Sequence, residues 1–234
     1  MPMTPRHQSN AGLSIVELLV GIAVGMFVLA GATMVTTNQM VENRRLLLET
    51  QIQQDLRAAM DIIARDIRRS GYWGNSYTSI APTTGPVINP YSPAGAFSTT
   101  PDIVSYTLNR ETVNPDDNVV SSNEQNGFVF NSGAGTIDVQ LGAGNYQALT
   151  DPSVVRITQF SATVNTTPLD LPVCASPPCA MTAPVSAVTA ACGGKSRALV
   201  RDVTITIVGE AVHDPSVRRS LESTVRVRND QVCQ

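Results

Sequence analysis

Lysine is almost missing from this chain: Lys195 is the single one in 234 residues. Sixteen basic residues stand against 19 acidic ones for a formal charge of −3, and no Lys/Arg cluster alternates with aromatics. That excludes a broad nucleic-acid surface, which needs a dense row of cations against phosphates. Histidine is as scarce. His7 and His213 are the two, and only His213, beside Asp214-Pro215, lies beyond the first 12 residues. One histidine makes no His-based metal site, so His213 reads as a loop residue. No Gly-x-Ser-x-Gly, phosphate loop or HExxH occurs. The Gly-Ala-Gly runs at 133–135 and 142–144 lack the following glycine of a dinucleotide fingerprint and read as turns. Asp116, Asp117 and Asn118 offer oxygens for calcium, but without regularly spaced ligands that include a bidentate glutamate. The expectation is no catalysis, no metal and no cofactor.

Two further absences shape the N-terminal part. No residue from Leu18 to Val41 carries a charge, and no proline occurs from Leu13 to Arg69. The uncharged stretch is 24 residues, about 36 Å of helix and enough to cross a bilayer. The proline-free stretch permits a helix of 57 residues, about 85 Å. Past Val41 the pattern turns one-sided: Ile52, Leu56, Met60, Ile63 and Ile67 fall on one face, with Asp61 and Arg65 ordered for an i,i+4 pair. Arg68 and Arg69 suit the negative pole of that helix, and Gly71 is its stop signal. Arg6 and His7, on the leading side of the apolar stretch, predict a cytoplasmic N-terminus and an exported C-terminal part. An ordinary secretory signal cut near Val28-Leu29-Ala30-Gly31-Ala32 is the competing reading. Against it, the apolar core exceeds a usual signal core and runs straight into the next helical pattern, so the segment reads as retained.

One carboxylate, Glu17, stands inside the apolar pattern, where an acid is expensive and calls for a named partner. Gly12-Leu13-Ser14-Ile15-Val16-Glu17 resembles the class III signal of type IV prepilins and pseudopilins. In those families a short leader ends in glycine, cleavage exposes a hydrophobic residue, and glutamate takes the fifth mature position. The resemblance implies cleavage by a prepilin peptidase between Gly12 and Leu13, N-methylation of Leu13, and survival of the helix. Leu13 departs from the commonest residue there, phenylalanine. The new α-amine at Leu13 then gives Glu17 of a neighbouring subunit a positive partner in an apolar filament core. Without it, Glu17 would be a boundary acid reaching toward lipid headgroups. Gly21 and Gly25 form a small-xxx-small pair that allows close helix approach, although glycine is also simply common in membrane helices.

The helix end Arg68-Arg69-Ser70-Gly71-Tyr72-Trp73-Gly74 and the closing Arg226-Val227-Arg228-Asn229 look like the PilW type of minor pilin. Tyr72 and Trp73 read as the lid of a core more readily than as a contact surface. Residues 75–101 and 166–197, rich in Ser, Thr, Pro and Gly, read as irregular. Strand patterns occupy Ile103–Leu108, Phe128–Phe130, Thr136–Leu141, Val154–Val164, Leu199–Val208 and Leu221–Val227. Four cysteines, Cys174, Cys179, Cys192 and Cys233, crowd the last third. In an exported domain they read as two disulfides with three connectivities open. The preferred one is Cys174–Cys179 with Cys192–Cys233; a zinc site fits the spacing poorly.

The expected organisation is a leader (1–12), a hydrophobic membrane and assembly half-helix (13–41), an amphipathic half-helix (42–70) and a periplasmic β-rich head (71–234). The fold class is α+β, pilin-like, with the second half of the long helix packed on an antiparallel sheet. The resemblance implies a minor pilin that helps initiate type IV pilus assembly in a tip-associated complex. It would start in the bacterial inner membrane and finish on the cell surface. Its partners would be other minor pilins, the major pilin, the prepilin peptidase and the inner-membrane assembly platform. A J-type pseudopilin of a type II secretion system shares the same spine, and an adhesin or other tip-binding subunit is a further reading that the long loops leave room for. A membrane-tethered enzyme would need converging polar groups that the sequence does not reveal.

Overall fold

The structure, a computed structural model, describes residues 12, 14–76, 89–92, 97–110, 116–170, 197–229 and 231–233. The chain divides into two compact units, residues 1–47 and 48–234. One helix, α1 (Ile15–Arg69, 55 residues), begins in the first unit and ends in the second. In the first unit every described residue is exposed, large apolar side chains included: Phe27 is 81% exposed and Leu19 61%. The threonines of this stretch satisfy themselves locally. Thr33, Thr36 and Thr37 each donate a hydroxyl to the carbonyl four residues back, at 2.8–3.0 Å. Such a surface has no hydroxyl among these three left needing water.

In the second unit α1 buries one face, Ile52, Leu56, Ala59, Met60, Ile63, Ala64 and Ile67, at the three- and four-residue spacing that the pattern predicts. Two antiparallel sheets supply the rest of the core. The first is a meander of β1 (Phe97–Thr100), β2 (Ile103–Thr107), β3 (Gln125–Asn131), β4 (Thr136–Leu141) and β5 (Tyr146–Ala148), in that spatial order. The second places β7 (Arg197–Ala211) between β6 (Val155–Asp170) on one side and β8 (Asp214–Arg226) with the short β9 (Gln231–Cys233) on the other. Val104, Phe128 and Ile137 of the first sheet join Phe160, Val203, Ile205, Ile207 and Val225 of the second in one hydrophobic cluster with the helix face.

Strand phase is corrected where the core requires it. Ile157 and Phe160 are both buried although they stand three positions apart, because the β6–β7 register slips between Ile157 and Gln159. The extra residue resets the two-residue alternation and returns Phe160 and Ala162 to the core side. Gly209 of β7 lets both β6 and α1 come close. A Cβ there would lie 2.7 Å from Val155 Cγ2 and 3.2 Å from Leu56 Cδ2 of α1.

The α+β layout expected from the sequence holds, with differences of detail. There are two sheets rather than one. Strand β1 lies inside the stretch 75–101 that reads as irregular, and β8 starts at Asp214 instead of Leu221. The Val212-His213 turn is tight, and Pro215 sits on a strand that pairs on one side only, where its missing N–H costs no ladder bond.

One acid on α1 is held against its preference. Burial and the nearby carboxylate of Asp151 raise the pKa of Asp55 above the ordinary aspartate value. The folded state therefore holds this proton more tightly than the unfolded one, so the penalty is absent in acid and appears as pH rises through the folded pKa. Asp55→Asn is expected to raise the melting temperature at pH 7 and to leave it unchanged near pH 3, as measured by thermal unfolding at the two pH values.

Candidate functional site

Two regions carry residues with something to do beyond filling a core. The first is the N-terminal half of α1. Glu17 sits in the first turn of α1 and is exposed, where a negative charge also favours the positive helix pole. Gly21 and Gly25 lie one turn apart on the same helix, and an added Cβ at either would meet nothing within 4 Å. Gly12 is described and exposed, ahead of the helix, while Leu13 lies outside the described residues. This stretch lies in the one described helix long and apolar enough to cross a membrane. Cys174, Cys179 and Cys192 fall outside the described residues; Cys233 lies in β9, opposite Arg197 in the register.

The second region is the C-terminal end of α1. A helix leaves its last carbonyls without intrahelical partners, and here carbonyls at and just past that end are taken up by the head. Arg228 N donates to Arg68 O at 3.2 Å, and Asn229 Nδ2 to Ser70 O at 3.0 Å. Asn89 Nδ2 donates to Gly71 O at 2.8 Å, and Asn109 N to Tyr72 O at 2.9 Å. Gly71 turns the chain at φ +72°, a backbone conformation that residues with a Cβ rarely adopt. Arg201 of the central strand β7 ties these pieces together. Its Nη2 donates to Asn229 O (3.1 Å) and to Ser92 Oγ (3.0 Å), and its guanidinium lies 5.7 Å from the Phe97 ring centroid. The Arg228-Asn229 pair that the sequence marks as a signature is thus a helix-end cap.

Beside the cap lies a buried polar cluster that sequence reasoning missed. Tyr91 (1% exposed) reaches Asp116 Oδ1 at 3.0 Å and Glu124 Oε1 at 3.1 Å with its hydroxyl. Burial, followed by these two carboxylates, pushes the Tyr91 pKa up, so the phenol stays a donor. Trp73 is buried and donates Nε1 to Asn118 Oδ1 at 2.8 Å, whereas Tyr72 is 51% exposed. Of the aromatic pair, then, only Trp73 closes the core.

Among the described residues no group of three or more His, Cys, Asp or Glu side chains gathers to hold a metal. What the two regions share is a helix with an uncovered apolar half and an end locked into a β-rich head. Residues 45–227 match the family described as prepilin peptidase-dependent protein B, PpdB. The chain belongs to that family. The match takes in the amphipathic part of α1, its capped end and most of the head, and it stops at the second residue of the Arg226-Val227-Arg228-Asn229 run. No curated protein and no solved structure matches the chain. The PpdB assignment makes this a type IV pilin-related protein, a generally structural class, whose associations are with pilus assembly components.

The cap makes a measurable claim. Asn229→Ala would leave the Ser70 carbonyl without its amide donor, at an expected cost of about 1–2 kcal/mol in chemical denaturation.

Proposed function

We propose that this chain is a minor pilin of the PilW type, which primes type IV pilus assembly as part of a tip-associated complex. The observation that carries the proposal is the first unit of α1: an apolar surface exposed on every side, with a lone carboxylate in its first turn, on a chain of the PpdB family. A helix apolar all round is stable only when lipid or other helices surround it. Before assembly the surroundings are the inner membrane, with residues 42–234 on the periplasmic side; afterwards they are the helices of neighbouring subunits. The prepilin peptidase cuts between Gly12 and Leu13, and the freed, N-methylated amine of Leu13 pairs with Glu17 of an adjoining subunit. Gly21 and Gly25 let a neighbouring helix approach.

The charge pair sets register. A carboxylate alone among apolar side chains costs several kcal/mol, by order of magnitude, and a matched amine offsets most of it. A subunit one position out of register leaves both charges unpaired. In the head, Cys174 pairs with Cys179 and Cys192 with Cys233 as the disulfides of an exported domain. The head contributes no chemistry of its own and presents surfaces to other minor pilins and the major pilin.

Glu17→Ala, expressed in place of the wild type, is expected to remain membrane-inserted and cleaved but to be lost from sheared surface filaments. Filament yield should fall at least tenfold if one unpaired amine costs about 1.4 kcal/mol or more per contact. Immunoblots of membrane and filament fractions read both quantities. Wild-type filament yield with the alanine variant incorporated would remove the proposed role of Glu17.

A further inference from the structure

The outer face of the last turns of α1 gathers charge of one sign. Arg65, Arg68 and Arg69 stand at the three- and four-residue spacing that shares one helix face, and all three are exposed, away from the buried Ile63 and Ile67. The head adds two more exposed arginines. Arg228 is bonded through its N to Arg68 O at 3.2 Å. Arg110 converges with Arg69 on the Tyr106 hydroxyl: burial and Asp66 raise the pKa of that phenol, and the Arg110 and Arg69 guanidiniums both act to lower it. Among the described residues no carboxylate lies within ion-pair distance of any of the five. Asp66 faces the Tyr106 hydroxyl at 3.5 Å instead, and the Asp61–Arg65 pair that their spacing allows is not made. Two ordinary reasons for arginine at a helix end leave most of this charge over. The negative pole of a helix is equivalent to roughly half a charge. The end carbonyls are already held by Arg228 N, Asn229, Asn89 and Asn109 N. Among the described residues the guanidiniums of Arg65, Arg68, Arg69 and Arg228 donate no hydrogen bond, and Arg110 gives one, to Asn126 Oδ1 at 2.8 Å. Like charges three and four residues apart weaken a helix, so the arrangement costs stability without any contact inside the chain to offset it.

We propose that Arg65, Arg68, Arg69, Arg110 and Arg228 form a docking site for an acidic, carboxylate-rich segment of a partner protein. Charge complementarity carries the assignment. Apart from these five, the chain has 11 basic residues against 19 acidic ones, so the patch is opposite in sign to the rest of the molecule. A field of that shape turns an acidic partner toward the capped end of α1 and repels it elsewhere. Each guanidinium offers a planar fork that takes a carboxylate through two parallel hydrogen bonds. Tyr72 is 51% exposed and bonded through its N to Arg69 O at 3.1 Å, which adds an exposed aromatic to the same stretch of chain. Arginine with tyrosine, and no lysine among the described residues, is the composition favoured where proteins meet. A nucleic-acid duplex would call for a longer row of cations than one helix end provides. The inference concerns the head alone and does not rest on the filament reading.

The test uses the full-length protein in a neutral detergent and a short fluorescein-labelled peptide of alternating glutamate and serine, read by fluorescence anisotropy. Saturable binding that weakens as salt is added is the expected result. Arg65→Gln combined with Arg69→Gln should weaken it about tenfold, the loss of two exposed charge pairs. Arg57→Gln combined with Arg218→Gln removes the same charge from exposed positions outside the patch and should leave binding unchanged. Melting temperatures establish that both variants are folded. The wild type is also photocrosslinked to a benzophenone-bearing form of the peptide, with adducts expected at residues 65–72, at Arg110 or at Arg228. A DNA duplex of equal charge is the competing probe. No saturable peptide binding, an equal loss in the two variants, or adducts confined to other residues would overturn the proposal. Tighter binding of the duplex than of the peptide would overturn it as well, by assigning the patch to nucleic acid.

Discussion

The constraint on which everything else depends is that α1 has two surfaces on one continuous helix. From Leu48 onward it hides one apolar face in the core made with both sheets; before that every described side chain is exposed. Burial of a core face is worth roughly 1.5–3 kcal/mol per large aliphatic side chain, so the second unit keeps its part of the helix without help. The first unit gains nothing of the kind from the chain itself. Its apolar side chains need a solvent other than water, of the kind that lipid or other helices supply.

The head fixes the end of α1. Load or motion reaching the end of α1 meets carbonyls already bonded to Arg228, Asn229, Asn89 and Asn109, from three separate stretches of the chain. Arg201, rooted in the central strand, holds the Asn229 carbonyl and Ser92 at once. A helix end fastened this way cannot unwind one turn without breaking bonds in several places. The polar cluster around Tyr91 sits on the same side of that cap, through the shared contact of Asn109 with Tyr72 and Tyr91.

Much of this was legible in the sequence because helix signals are local. The span of α1, its buried face and its stop at Gly71 follow from periodicity, absent prolines and a glycine at positive φ. The strands of strongest alternation were legible as well. Strands β1, β5 and β9 were not, since three or four residues carry no period. Division of the strands between two sheets depends on pairings such as Val155 with Ala211, 56 positions apart, that no local pattern encodes. The cap was legible only as a resemblance: Arg228-Asn229 stood out, but its target at Arg68 and Ser70 lies some 160 residues earlier. The buried cluster was hidden for the same reason. The one local trace of it was Ser121-Ser122-Asn123-Glu124, a capping-box pattern whose glutamate does reach back to Ser121 N. The roles proposed for Gly12, Glu17, Gly21 and Gly25 concern partners outside this chain.

The central claim is that Glu17 is tolerated in an apolar helix because proteolysis creates an amine for it on another subunit. Mass spectrometry of the N-terminal peptide of the protein purified from its membrane tests this most directly. The account predicts a peptide that begins at Leu13 and carries one added methyl group. A peptide beginning at Met1, or one beginning after Ala30, would contradict it, since in the first case the amine never forms and in the second Glu17 is lost with the leader.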